Sequence, residues 1–111
     1  MAKLTTHVLD IASGRPAGGM RVELHRIEPG KKTPLADIKT SVDGRALLGE
    51  MTSGTYRLLF HVGDYFAAAS SNDARKFLDV VPILFKIDEQ NAAYHVPLLV
   101  SPWAYSTYRG S

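Results

Sequence analysis

The sequence predicts an all-β sandwich with one short helix. Over most of the chain, apolar residues recur at every second position, which is typical of strands that bury one face against a core. Turn-forming pairs such as Pro29-Gly30 and Asp43-Gly44 separate these runs at short intervals. The 111 residues are 45% hydrophobic and 22% charged, a balance that favours a single globular domain over residues 1–111.

Eight short strands follow from the alternating runs and the turns between them. The clearest are Met20–His25 and Tyr56–Val62, in which inward and outward positions alternate. Pro82 falls within a predicted strand and is expected at a sheet edge or a bulge, because proline has no N–H to donate to a ladder. The predicted strands are Leu4–Ile11, Met20–Ile27, Leu35–Ser41, Ala46–Leu48, Tyr56–Val62, Val80–Asp88, Ala93–Ser101 and Trp103–Tyr108.

One segment departs from the alternation. Asp64–Ala69 is rich in alanine and starts with an aspartate suited to an N-cap, so a single short helix is expected there.

Composition excludes several kinds of site. The chain has no cysteine, so disulfides, thiolate metal sites and cysteine nucleophiles are ruled out. Its net charge of +2 comes from scattered basic residues, which is too weak to indicate nucleic-acid binding. No stretch approaches the ~20 apolar residues of a membrane span. The first residues, Met1–His7, lack the apolar core of a signal peptide, so a cytoplasmic protein is expected.

Two strands are apolar on both faces. In His95–Ser101, Val96 and Leu98 share one face, while His95, Pro97 and Leu99 share the other. A monomeric sandwich normally turns one polar face of each antiparallel strand to water, so the second face is expected to pack against another subunit. The first strand repeats the pattern. Its second face consists of Thr5, His7, Leu9 and Ile11.

The four histidines are far apart in sequence and show no metal-ligand spacing, so no metal site is expected. His25 and His61 occupy outward positions on their strands and are interpreted as structural. His7 and His95 differ because each lies on a face assigned to an interface, where a buried neutral imidazole can act as a base or a hydrogen-bond donor.

Several segments together resemble the 5-hydroxyisourate hydrolase family, also called transthyretin-related proteins. The resemblance runs from Leu4 to Ser111. The terminal Tyr-Arg-Gly-Ser is the most specific segment, since it separates these hydrolases from the hormone-carrying transthyretins. The segments are Leu4–Asp10, Gly14–Ala17, Asp43–Arg45, Tyr94–Pro102 and Tyr108–Ser111.

The resemblance implies a transthyretin-like (prealbumin-like) sandwich of two four-stranded sheets. It also implies a homotetramer, a dimer of dimers with active sites at the dimer–dimer interface. The implied reaction is hydrolysis of 5-hydroxyisourate to 2-oxo-4-hydroxy-4-carboxy-5-ureidoimidazoline in urate (purine) catabolism. No metal or organic cofactor takes part, and neither nucleic acid nor membrane is an expected partner.

The resemblance also assigns roles to residues. His7, Arg45 and His95 match the catalytic residues, and which histidine is the general base stays open. The chain departs from the family at Ala93, where a second histidine is usual. The residues that match the substrate-binding tail are Tyr108, Arg109, Gly110 and Ser111.

Two other functions fit a sandwich of this size. A transthyretin-like carrier would bind small aromatic ligands without catalysis, in the channel that the resemblance places between facing dimers. A secreted adhesive domain is disfavoured because the sequence shows no signal peptide. The paired imidazoles and the guanidinium favour the hydrolase over the carrier.

Overall fold

Two β-sheets and one helix make up the fold in a computed structural model that describes residues 1–69, 77–88 and 91–110. The all-β prediction is confirmed. In chain order the elements are β1 (Ala2–Asp10), β2 (Arg15–Pro16), β3 (Arg21–Glu28), β4 (Lys31–Lys39), β5 (Arg45–Met51), β6 (Gly54–His61), α1 (Val62–Ala69), β7 (Val80–Ile87), β8 (Ala93–Val100) and β9 (Tyr105–Thr107).

The first sheet has five strands rather than the predicted four. Strand β1 pairs in parallel with β8 on one side, and β9 extends the sheet beyond β8. On its other side, β1 pairs with β5 over residues 2–7 and with the two-residue β2 over residues 9–10. Because β5 and β2 share one edge of β1, the sheet is still four strands wide.

The second sheet has the strand order β4-β3-β6-β7, with every pairing antiparallel. Strand β7 therefore lies at an edge of this sheet, which confirms the edge position expected for Pro82. The inner faces of the two sheets enclose the core. Its largest fully buried side chains include Tyr56, Phe60, Leu4 and Leu24.

Strands β1 and β8 alternate as the sequence predicts. On β1, Leu4, Thr6 and Val8 are buried, while Thr5 and His7 lie half-buried on the outer face. Strand β8 alternates in the same way except at Pro97, which is buried although it lies on the outer face. The strands that carry His7 and His95 therefore use one face for the core and place both histidines on the other.

The helix begins earlier than predicted. It starts at Val62 directly after β6, so Asp64 lies in its first turn and is not the N-cap. The N–H of Gly63 donates to the carbonyl oxygen of Asp79 at 2.7 Å, which satisfies one of the free amides at this end. The carboxylate of Asp64 is still favourable there, because the first turn carries a partial positive charge.

Helix α1 has eight residues, and among the described residues no helix could span a membrane.

A partly buried hydrogen bond joins α1 to β1. The hydroxyl of Tyr65 donates to Asp10 at 3.0 Å, and the carboxylate of Asp10 also accepts from the N–H of Ala12 at 2.9 Å. Burial and the neighbouring carboxylate raise the pKa of Tyr65 to about 12.

The last predicted strand, Trp103–Tyr108, is shorter in the structure. Strand β9 covers only residues 105–107, because the preceding residues form a turn around Ser101. The Ser101 hydroxyl accepts from the N–H groups of Trp103 and Ala104, both at 3.1 Å. Serine commonly forms turns of this kind by bonding backbone groups two or three residues away.

A bulge in β5 determines which of its residues face outward. Leu4 pairs with Gly49 whereas Thr5 pairs with Leu47, so β5 has one extra residue at this point. The extra residue reverses the alternation and lets Arg45 face outward while Met51 is buried in the core. Gly49 has a φ of 120°, a conformation that side chains rarely adopt.

The turn before β5 holds Arg45 beside β1. Gly44 has a φ of 74°, and its carbonyl oxygen accepts from the N–H of Val8 at 2.8 Å. A Cβ atom at this position would lie 2.6 Å from the carbonyl oxygen of Val8. Gly44 is therefore required both by its conformation and by close backbone contact.

We expect Gly44→Ala to destabilise the fold more than Gly14→Ala. Both glycines have positive φ, but nothing lies within 4 Å of a Cβ built on Gly14. The conformational cost is about 1–2 kcal/mol in either variant, and the contact with Val8 adds about 1–3 kcal/mol for Gly44. Urea unfolding of both variants measures the difference. Equal free energies of unfolding would contradict the close-contact argument.

Candidate active site

The outer face of the first sheet brings the three predicted catalytic residues together. The parallel register of β1 and β8 places Thr5 beside His95 and His7 beside Pro97. The antiparallel register of β5 places Arg45 beside His7. Three neighbouring strands thus carry two imidazoles and a guanidinium on one surface.

An open cleft of about 420 Å³ lies on this surface. Two permanent cations, Lys3 and Arg45, line it, and no carboxylate is among the described lining residues. His7 is not among the lining residues but is the cross-strand partner of Arg45. The cleft is therefore suited to a small anionic ligand. It is lined by Lys3, Thr5, Thr6, Arg45, Ala46, Leu47, Ala93 and His95.

Both the ring and the backbone of His95 have hydrogen-bond partners. Its Nδ1 lies 2.8 Å from the hydroxyl oxygen of Thr5. Its backbone carbonyl oxygen accepts from the N–H of Gly110 at 2.7 Å. A Cβ on Gly110 would lie 2.6 Å from the Cδ2 atom of the ring, so only glycine fits against it.

The surroundings keep His95 neutral near pH 7. Burial lowers its pKa, and the nearby charges of His7 and Arg45 lower it further. A neutral imidazole has one nitrogen that accepts a proton and one that donates, so it can act as a base or as a hydrogen-bond donor.

The C-terminal tail is divided between two places. Gly110 lies against His95, but Tyr108 and Arg109 line a different cleft, of about 250 Å³, beside β7. The guanidinium of Arg109 lies 4.0 Å from the ring centroid of Tyr94 and donates to the carbonyl oxygen of Ala93 at 3.3 Å. One chain therefore does not bring Tyr108 or Arg109 to His95, and Ser111 lies outside the described residues.

Sequence reasoning missed most of the lining residues as members of the site, among them Lys3, Thr5 and Leu47. Lys3 and Thr5 lie four and two positions before His7, so strand alternation alone places them on its face. Leu47 is different, because its outward orientation next to Thr5 depends on the bulge in β5.

A second cleft of about 420 Å³ lies near α1, and two of its charged or titratable groups, His61 and Arg21, are paired with carboxylates. His61, which lines it, is 2.6 Å from the carboxylate of Glu23, and Arg21 is 2.8 Å from Asp37. His25 is buried on the same sheet, and burial lowers its pKa. Among the described residues, no group of three or more metal-ligating side chains is suitably arranged for an ion.

Sequence comparison finds one family over nearly the whole chain. The profile described as the HIUase/Transthyretin family matches residues 4–110. A relative in Deinococcus radiodurans named 5-hydroxyisourate hydrolase is 48% identical over 113 residues, covering 97% of this chain and 95% of the relative.

Solved structures with the same fold include enzymes and a binding protein. A crystal structure of (S)-allantoin synthase matches with a TM-score of 0.89 and 44% identity, covering 99% of this chain but only 44% of that one. The Klebsiella pneumoniae 5-hydroxyisourate hydrolase matches with a TM-score of 0.85 and 36% identity over 100% of both chains. Sea bream transthyretin in complex with thyroxine matches with a TM-score of 0.86 and 27% identity, covering 96% of this chain and 93% of that one.

We expect Arg45→Gln to raise the pKa of His95. The substitution removes a positive charge that disfavours protonation of the ring, but burial persists, so the pKa stays below its ordinary value of about 6.5. A pH titration followed by ¹H–¹⁵N NMR of the histidine rings measures the change. Arg21→Gln, on the other sheet, serves as the control and leaves His95 unchanged. An unaltered His95 titration in Arg45→Gln would disprove the coupling.

Proposed function

Because the chain belongs to the HIUase/transthyretin family, we propose that it hydrolyses 5-hydroxyisourate to 2-oxo-4-hydroxy-4-carboxy-5-ureidoimidazoline in urate catabolism. The observation that carries the proposal is the meeting of His7, Arg45 and His95 on one face of the first sheet. The relatives in Deinococcus radiodurans and Klebsiella pneumoniae that bear the name of this activity support it.

The cleft supplies what the reaction needs. Water adds to a ring carbonyl carbon, the C–N bond breaks, one proton of the water goes to a base, and the leaving nitrogen receives a proton. Arg45 holds the anionic substrate and stabilises the negative charge on the attacked oxygen, because its planar guanidinium donates two parallel hydrogen bonds. Lys3 adds a second positive charge in the same cleft.

His7 and His95 divide the proton transfers between them. One of the two histidines, as a neutral imidazole, removes a proton from the attacking water, and the other histidine delivers a proton to the leaving nitrogen. Because the pKa of His95 is lowered, its neutral form persists to more acidic pH than that of an ordinary histidine. These steps require no metal or organic cofactor.

We further propose that the working form is a homotetramer, a dimer of dimers, with the sites at the dimer–dimer interface. Apolar side chains surround the site on the outer face. Leu47 is 60% exposed in one chain, and Leu9 and Leu99 lie half-buried beside the catalytic residues. Packing this face against another subunit removes apolar surface from water. In this assembly Tyr108, Arg109, Gly110 and Ser111 bind substrate.

We also propose that residues 1–111 act as a single domain in the cytoplasm, with a small-molecule substrate and without nucleic-acid or membrane partners. The scattered charge of +2 favours neither polyanionic partners nor anionic membranes.

A carrier of small aromatic ligands is the alternative, and the similarity to thyroxine-bound sea bream transthyretin favours it. The hydrolase and the carrier require different chemistry. A carrier channel needs apolar surface and shape, whereas this cleft contains two cations and the neutral imidazole of His95. Accelerated decay of 5-hydroxyisourate distinguishes an enzyme from a carrier.

We expect His7→Ala, Arg45→Ala and His95→Ala each to lower kcat by about 10²–10⁴-fold, because each removes a proton-transfer or charge-stabilising group. The assay follows the ultraviolet absorbance of freshly generated 5-hydroxyisourate. His61→Gln, on the other sheet, is the control with near-normal kcat. Normal turnover in any of the three alanine variants would remove that residue from the mechanism. A native protein that does not accelerate the spontaneous decay would refute the function itself.

We expect sedimentation equilibrium to give four times the chain mass of 12.2 kDa. Leu99→Asp places a charge among the apolar side chains of the outer face and should dissociate the tetramer, because an unpaired charge is costly to bury. Asp79→Asn, which lies off this sheet, is the control. A stable tetramer of Leu99→Asp would exclude this face as the interface.

A further inference from the structure

We propose that Thr5 is the positioning residue for His95. The inference rests on the proposed function and deepens it, because the comparisons and the sequence motifs assign no role to Thr5. Its hydroxyl occupies Nδ1 of His95, so that Nε2 is the nitrogen presented to the substrate.

The geometry around the ring leaves one nitrogen available. Nδ1 lies 2.8 Å from the Thr5 hydroxyl oxygen, and Gly110 covers the Cδ2 edge. Within the part of the chain that the structure describes, Nε2 has no hydrogen-bond partner, and His95 lines the cleft. The ring therefore has a neighbour at Nδ1 and another at Cδ2, and the residue lines the space that a ligand would fill.

The strand register makes this contact a fixed feature. Thr5 and His95 are direct partners in the parallel ladder of β1 and β8, and both lie on the outer face. The bulge in β5 opens beside Thr5 and places Leu47 next to it. Threonine is stiff about χ1 because its Cβ is branched, so its hydroxyl has few orientations to lose on forming the bond.

The hydroxyl of Thr5 has no other role in the described residues. Its only hydrogen bond there is the one to His95. The next residue provides a contrast, since the Thr6 hydroxyl donates to the carbonyl oxygen of Val96 at 2.7 Å inside the core. The Thr6 hydroxyl thus stabilises the core, whereas the Thr5 hydroxyl contacts the His95 ring on the outer face.

A hydrogen bond at Nδ1 restrains the orientation of the ring in either tautomer. If Nδ1 accepts from the hydroxyl, then Nε2 carries the proton; if Nδ1 donates, then Nε2 is the base. The hydroxyl can take either part, so the contact keeps Nδ1 occupied and the ring oriented in both cases. Among the described residues, the other charged or titratable groups near the ring are His7, Arg45 and Lys3, and none of them bonds to Nδ1.

The test compares Thr5→Val, Thr5→Ser and Thr6→Val. Valine keeps the shape of threonine without the hydroxyl, serine keeps the hydroxyl, and Thr6→Val removes the neighbouring hydroxyl on the core side. Each variant is measured for kcat and KM with 5-hydroxyisourate, and for the ¹⁵N shifts of the His95 ring in the unliganded protein. Thr5→Ala is the substitute if Thr5→Val does not fold, as judged by circular dichroism.

We expect Thr5→Val to lower kcat by about 10-fold, the effect of losing one hydrogen bond, with a smaller change in KM. The ¹⁵N shift of its His95 Nδ1 should move, because that nitrogen loses its hydrogen-bond partner. Thr5→Ser restores kcat to within about 2-fold of the native value. It also restores the native pattern of the His95 shifts. Thr6→Val is less stable but keeps the native His95 shifts.

Unchanged His95 shifts in Thr5→Val would overturn the proposal, and so would altered shifts with a native kcat. Thr5→Ser behaving like Thr5→Val would also overturn it. The NMR measurement needs no substrate, so it judges the contact even if the native protein does not accelerate the decay of 5-hydroxyisourate. In that event the proposed function fails, whereas the positioning of His95 by Thr5 is decided by the shifts alone.

Discussion

The candidate site depends above all on the parallel pairing of β1 with β8. Because side chains alternate along each strand, this one register serves both faces of the sheet. On the inner face, the Thr6 hydroxyl bonds to the carbonyl oxygen of Val96. On the outer face, Thr5 bonds to His95. A slip of one residue would move both sets of side chains to the wrong face, so the packing of the core also fixes the geometry of the site.

The electrostatics of the site follow from which groups line the cleft. The described lining of the cleft contains cations and an imidazole but no carboxylate, so nothing there favours protonation of His95. Burial and the adjacent positive charges act in the same direction and favour the neutral ring. On the second sheet a carboxylate lies beside a histidine: Glu23 is 2.6 Å from His61, and this contact lowers the pKa of the Glu23 carboxyl. The two histidines thus have different partners, a carboxylate for His61 and a hydroxyl for His95.

The fold itself does not distinguish an enzyme from a binding protein. The structures that share it include a hydrolase and a thyroxine-bound transthyretin at nearly equal TM-scores of 0.85 and 0.86. The inner faces of the sheets determine the sandwich, and the outer face of β1, β5 and β8 carries the candidate site. Gly110 illustrates the division, since it adds nothing to the core but leaves room for the ring of His95.

The sequence by itself determined which residues face the core and which face outward on β1 and β8, because alternation is a local property of extended backbone. Alternation therefore predicts the outer-face positions of His7, His95 and Thr5, and it extends to Lys3 only because β1 begins at Ala2. The tertiary structure decided which strands became neighbours and how they were aligned. The bulge that turns Arg45 outward, the position of β2 beside β1 and the division of the C-terminal tail all depend on contacts between distant segments. No local pattern encodes those contacts, because the free energy that fixes them arises only when the two sheets pack together.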